Sequence, residues 1–171
     1  MIRSLVTTPP VFSDDSDWGL DHGTWSVLKH MFPLADVPVL QMSLSINDPP
    51  EYHLRIGEQL KALREKGVLI LGSGNLVHNL RQIKWDENAP PYDWALEFDR
   101  WIGAKLESRD VSAILKESLT SVAGRLSSPT PEHFLPLYYI LGATDPSDSL
   151  KVEFEQMQNA SISMRSFSFG R

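Results

Sequence analysis

Apolar positions recur at two spacings along this chain, and the switch between them lays out its elements. In "DHGTWSVLKHMF", Trp25, Leu28 and Phe32 fall three and four residues apart, which places them on one face of a helix. Asp21 stands where an N-cap belongs. "VPVLQMSLSI" (37–46) is rich in Val, Leu and Ile with partial alternation and predicts a strand. "NDPPEYHLRIGEQLKALREKG" returns to helical spacing, with Ile56, Leu60 and Leu63 as the inner stripe. Asp48, Pro49 and Glu51 compose a capping box with proline at the first helical position, and Gly67 is the stop. The wholly apolar "VLIL" then runs into "GSGN", which predicts a strand covered on both faces, as in a parallel sheet. Strand, helix and strand with short links make a right-handed βαβ unit.

Helical spacing dominates the second half. "PYDWALEFDRWIGAKLES" presents a broad apolar face of Trp94, Leu96, Phe98, Trp101, Ile102 and Leu106, and "VSAILKESL" predicts a further helix. "SSPTPEHFLPLYYILGAT" predicts a helix capped by Thr130, opened by Pro131 and ended by Gly142. "SISMRSFSFG" alternates imperfectly through Ile162, Met164, Phe167 and Phe169 and reads as a closing strand. Residues 1–20, rich in Pro, Ser and Asp, read as irregular. The expected fold is a single α/β domain over 1–171 with a mostly parallel central sheet flanked by helices. About three strands are visible, against the ~5–6 of an average sheet, so the chain reads like the later part of a larger α/β domain.

Composition narrows the function. The chain has 171 residues, 42% of them hydrophobic and 22% charged, which describes an ordinary globular domain. A net charge of −6 and a pI near 5.3 argue against nucleic acid as a partner. With no cysteine, disulfides, thiolate metal sites and cysteine nucleophiles are excluded. No apolar run reaches the ~18 residues of a membrane span, and the first residues lack the apolar core of a signal peptide. A cytoplasmic location without membrane contact is expected.

Candidate chemistry rests on five histidines, His22, His30, His53, His78 and His133. None falls in an H-E-x-x-H pattern, so any metal site is assembled from distant segments. His78 follows the apolar run and its glycines, and ligands gather at the carboxyl ends of strands in open α/β sheets; a turn histidine bonded locally would read the same way. The spacing of "GSGN" fits neither nucleotide-binding glycine pattern, and Ser73 lacks a nucleophile elbow. His133 lies in "PTPEH", in the predicted first helical turn, where the helix dipole disfavours the imidazolium; the alternative is a surface histidine beside Glu132. His22 precedes Gly23 between Trp18 and Trp25, which could wall a pocket; a loop histidine at a helix start is the alternative. His53 reads as packed and His30 as exposed. Glu97 and Asp99 are expected on helix exteriors, and Asp14, Asp15 and Asp17 in a solvated acidic loop.

Three stretches in order, "WGLDHGTW", "GSGNLVHNLRQIKW" and "SSPTPEHFLPLYYILGA", together with the closing "SISMRSFSFG", resemble the class III extradiol ring-cleavage dioxygenases, in particular the 4,5-DOPA dioxygenase-like subgroup. The likeness runs from about Trp18 to the C-terminus. It implies a central, mostly parallel sheet, a non-haem divalent metal, Fe(II) or Zn(II), and insertion of both atoms of O₂ into a catechol such as DOPA. It makes His133 a metal ligand, His78 the acid/base histidine or itself a ligand, and His22 a group lining the substrate and oxygen side. Imidazole suits both metals and titrates where a catechol proton must be taken and returned. The family pattern places two further histidine ligands in an N-terminal part, in a Gly-His-Gly-Ser-Pro-like turn and a His-Trp pair, and no histidine precedes His22. The chain is therefore expected to be N-terminally truncated relative to the family, with the first strands of the sheet missing. Two rivals remain open: a non-catalytic binding or dimerising remnant of the fold, and a zinc hydrolase needing no O₂.

Overall fold

The computed structural model describes residues 2–13 and 19–170. In chain order these form α1 (Ile2–Leu5), α2 (His22–Met31), α3 (Pro50–Leu60), α4 (Asp93–Glu107), α5 (Val111–Glu117), α6 (Val122–Ser127), α7 (Pro136–Ala143), β1 (Ser149–Phe154), β2 (Met157–Gln158), β3 (Ile162–Ser163) and β4 (Ser166–Gly170). A 3-10 stretch, Lys61–Lys66, continues α3. It stops at Gly67, whose φ of 72° is left-handed, a conformation glycine adopts without a Cβ penalty.

The short, strongly apolar α7 lies at the centre. Tyr138 is buried in a cluster with Phe98, Ile102 and Leu106 of α4, Ile114 of α5 and Phe134. Its neighbour Tyr139 faces a second cluster with Val6, Ile56, Leu60 and Leu63. Each buried hydroxyl has a partner, as buried polar groups require: Tyr138 Oη lies 2.7 Å from Ser118 Oγ, and Tyr139 Oη lies 3.1 Å from His53 Nδ1. Burial pushes both phenols up to about 12. α3 meets α7 through glycines. A Cβ at Gly57 would lie 2.2 Å from the Tyr139 carbonyl oxygen, and one at Gly142 would lie 2.1 Å from that of Leu54.

Among the described residues the expected central parallel sheet is not present. Two small antiparallel sheets form instead, β1 with β4 and β2 with β3. Helices mixed with small sheets keep the chain in the α/β class in its coarse sense. The predicted strands at 37–46 and 68–75 form no helix and belong to no ladder among the described residues, so the βαβ unit does not close. Met42, Leu44, Val68 and Ile70 pack inward on the Val6–Tyr139 cluster, but Leu69 and Leu71 are 62% and 43% exposed, so the second segment is not covered on both faces as expected, and Leu40, two residues before Met42, is 78% exposed. Periodicity specifies which face is apolar, whereas a strand also needs a neighbouring backbone to bond to.

Local expectations shift for local reasons. Asp21 caps α2 as predicted, accepting from Thr24 N at 2.8 Å. Asp48 does not cap α3: it accepts from the Ser45 hydroxyl at 2.5 Å, Pro49 is the N-cap, and Pro50 has no N–H to offer. The helix predicted from Pro131 begins at Pro136. Residues 131–135 make one turn, closed by Leu135 N to Pro131 O at 2.9 Å, and Pro136 cannot extend that ladder because it lacks a donor. Thr130 bonds Glu132 at 2.7 Å instead of capping. Asp99 is not on an exterior. It is buried against Arg165, whose Nη2 donates to Oδ2 at 2.8 Å, and accepts from the Ser163 hydroxyl at 2.6 Å, tying α4 to β3. The opening segment contains α1 and buries Val6. The acidic residues from Asp14 to Asp17 and Trp18 lie outside the described residues.

Candidate active site

The stretch "LVHN" is clamped on both sides. His78 N donates to Ser127 O at 2.8 Å, Asn79 N to Ser161 O at 3.1 Å, and Ser163 N to Val77 O at 2.9 Å. His78 itself forms an antiparallel bridge with Ile162. Asn79 adds a side-chain bond to Leu126 O at 2.7 Å. The backbone under His78 is thus held by the end of α6 and by β3.

The preceding loop fits His133. Asn75 N donates to the His133 carbonyl at 2.9 Å, and the Asn75 amide reaches Ser163 O at 2.8 Å. A Cβ at Gly74 would lie 2.1 Å from the His133 carbonyl oxygen, so this close approach requires glycine. The result is direct contact between the two histidines. Their rings stack with centroids 3.6 Å apart at 18°.

Electrostatics follows from that stack. Burial pushes the His78 pKa down, and the facing charge of His133 pushes it further. Burial likewise lowers His133, although Glu132 pulls the other way. His22, at the start of α2 and exposed, lies close enough for its charge to depress both rings. At neutral pH the pair is therefore uncharged, with ring nitrogens able to accept a proton or a metal. Burial alone would raise the Glu132 carboxyl. The Thr130 hydroxyl, its own backbone N–H and the two histidines together carry it below the usual carboxylate range.

The structure thus brings together His22, His78 and His133, which lie far apart in sequence. The other two histidines are elsewhere. His53 is fully buried beneath α3, and His30 is exposed late in α2. Trp25 is 49% exposed with Lys29 over its ring at 5.5 Å. The sequence marks Gly74 and Asn75 within "GSGN" but not their partner, a backbone carbonyl far away in sequence. Ser127 and Ser128, beside the His78 clamp, carry buried hydroxyls without a hydrogen-bond partner among the described residues; no sequence signal marks them.

A family model described as the catalytic LigB subunit of aromatic ring-opening dioxygenase matches residues 3–169. This chain belongs to the LigB family. Within it, the chain is 40% identical over 168 residues to the 4,5-DOPA dioxygenase extradiol of Escherichia coli, a match covering 97% of this chain and 62% of that protein. It is 31% identical over 160 residues to the 4,5-DOPA dioxygenase extradiol of Beta vulgaris, covering 91% of this chain and 58% of that one. The crystal structure of an uncharacterized Escherichia coli K12 protein superposes with a TM-score of 0.89 at 39% identity, over 97% of this chain and 69% of the other. The chain thus spans about three fifths of the length of these curated relatives.

Members of the LigB family depend on a metal, and the donors here suit one in kind but not in number. The two stacked imidazoles are neutral and of the type that binds Fe(II) or Zn(II). Among the described residues, however, no group of three or more His, Asp or Glu is placed to hold an ion.

Proposed function

We propose that this chain is a catalytic-type domain, spanning 1–171, of an extradiol ring-cleaving dioxygenase acting on catechols of the DOPA class with O₂. The observation that carries the reading is the convergence of His22, His78 and His133 from three separate segments. In this reading His133 would hold Fe(II) or Zn(II), the shell being completed by donors outside the described residues, and His78 would stand beside the metal as the acid/base group. The bound metal would supply a Lewis acid for the two catechol oxygens.

The chain's own residues do the rest. His78 is the general base: held neutral by burial, it accepts a catechol hydroxyl proton at a ring nitrogen and later returns it. The clamp on its backbone keeps that imidazole in one orientation, which matters because a misplacement of about 1 Å costs roughly 100-fold in rate. His22, exposed at the mouth, lines the substrate side. The domain works without membrane or nucleic acid, in the cytoplasm. Among the described residues, no helix is long and apolar enough to cross a membrane.

The test is oxygen uptake and ring-fission product formation with catechol and DOPA, on the chain loaded anaerobically with Fe(II) and separately with Zn(II). We expect about one retained metal equivalent, lost in His133→Ala. For His78→Ala we expect metal-dependent turnover to fall about 100-fold or more, the scale of a lost acid/base group. Uptake of oxygen unaffected by either substitution would defeat the reading. A second reading, a non-catalytic binding or dimerising module on the same fold, is favoured by the lack of a three-donor metal group among the described residues. It predicts that no metal is retained.

A further inference from the structure

α2 carries His22, yet none of its residues is buried. Something other than core packing must therefore hold His22 in register with the stacked pair. Two hydrogen bonds do so, one on each side of it. Asp21 N donates to Gln41 Oε1 at 2.9 Å, and the Ser73 hydroxyl donates to the Gly23 carbonyl at 2.6 Å.

Both tethers come from the two segments that the sequence reads as strands. Gln41 precedes Met42, and Ser73 follows Ile70 by three residues. Met42 and Ile70 are both packed on the cluster around Tyr139. Each tether is thus anchored to the core that α2 itself does not reach. Ser73 also precedes Gly74 and Asn75, which seat on the His133 carbonyl. One three-residue stretch therefore touches the backbone of both histidine segments, and three residues span at most about 10 Å. The spacing between the His22 and His133 segments is set by this short bridge.

We propose that Gln41 and Ser73 are positioning residues that hold His22 at the histidine pair. Ser73 is then neither a nucleophile nor a turn filler. It is the link through which the loop that seats His133 also orients α2. The tether stands on geometry alone, and its consequence for substrate rests on reading His22 as a substrate-side group.

The experiment uses the whole chain with Ser73→Ala, Gln41→Ala and the hydroxyl-retaining Ser73→Thr. Amide hydrogen exchange is followed in α2 and α7. Loss of either bond is expected to speed exchange across residues 22–31 by about fivefold or more, the scale of one hydrogen bond. α7 should remain unchanged and Ser73→Thr should restore protection. Unchanged exchange in α2 overturns the proposal. In parallel, 4-nitrocatechol binding to the Fe(II)-loaded chain is measured for Ser73→Ala, His22→Ala and the double variant. Both single variants should bind more weakly, and the double no more weakly than His22→Ala, because Ser73 acts through His22. Additive losses overturn the positioning role. Failure of the wild type to bind 4-nitrocatechol defeats the dioxygenase reading, while faster α2 exchange in the variants still upholds the tether.

Discussion

His53 holds a buried imidazole that the candidate site does not use, and its surroundings dictate how it titrates. Its Nε2 faces the Asp48 carbonyl at 3.3 Å, which can only accept, so Nε2 carries the proton and Nδ1 accepts from the Tyr139 hydroxyl at 3.1 Å. Burial lowers its pKa, outweighing the Asp48 carbonyl bond and the Asp48 charge, which both raise it. The sign follows. Unfolded histidine takes a proton near pH 6.5 and folded His53 only at lower pH, so the unfolded state binds more protons in that window. Its contribution to stability is full above about pH 6.5 and declines as pH falls toward the folded-state value. Denaturant unfolding between pH 7.5 and 5.5 should therefore give a falling midpoint, with a shallower slope in His53→Gln. At pH 7.5 that variant should be less stable by about 1–3 kcal/mol if the Tyr139 hydroxyl loses its partner. An unaltered slope would place the acid sensitivity in other groups. Sequence context anticipated a packed His53 and nominated His22, His78 and His133. It could not reveal the 3.6 Å stack, which depends on Gly74 meeting a carbonyl 59 positions along.

Helices were more legible than strands, for a physical reason. The bonds of a helix are local, so α2, α4 and α5 follow from their own spacing, α2 and α5 with an aspartate cap. The strands depend on partners. β4 and β3 lie within the predicted closing strand, interrupted near Arg165, which turns back to Asp99. β1, with five of its six residues exposed, shows no alternation and is not predicted by the sequence. The contact of α3 with α7 was also hidden, since neither glycine announces its partner. That contact makes a sharp prediction. In Gly57→Ala or Gly142→Ala the new methyl would sit 2.2 Å or 2.1 Å from a backbone carbonyl oxygen, which cannot rotate away as a side chain would. Alanine is favoured by up to about 1 kcal/mol in a helix interior, yet overpacking of this kind costs about 1–3 kcal/mol or more. We expect net destabilisation in both variants, visible as a fall in Tm of several degrees. Gly19→Ala, with nothing within 4 Å, should be near neutral. Two neutral helix variants would mean that α3 and α7 part at little cost.

At the scale of the molecule, the two unpaired extended segments set the behaviour of the chain in solution. Both hold their inward residues on the core but present Val39, Leu40, Leu69 and Leu71 outward. Among the described residues neither belongs to a ladder, so backbone without a sheet partner and exposed apolar side chains occur together. Such edges pair with other chains unless charge or proline blunts them. Residues 68–71 are Val, Leu, Ile and Leu, without a charge or a proline. The net charge of −6 opposes association at long range, but salt screens it beyond about 8 Å at physiological ionic strength. The wild-type chain should therefore associate in the micromolar range, as unpaired apolar edges do, and more strongly as salt is raised. Replacing Leu40 and Leu69 by lysine places a charge on each outward face. Because Leu40 and Leu69 are 78% and 62% exposed, the change should leave stability within about 0.5 kcal/mol. Sedimentation velocity over a concentration series, with thermal unfolding alongside, checks both halves. A double variant that stays folded and sediments as a monomer where the wild type does not would assign association to these segments. A wild type that is monomeric at every concentration and salt would show that burial of their inner faces alone is enough to keep the edges silent.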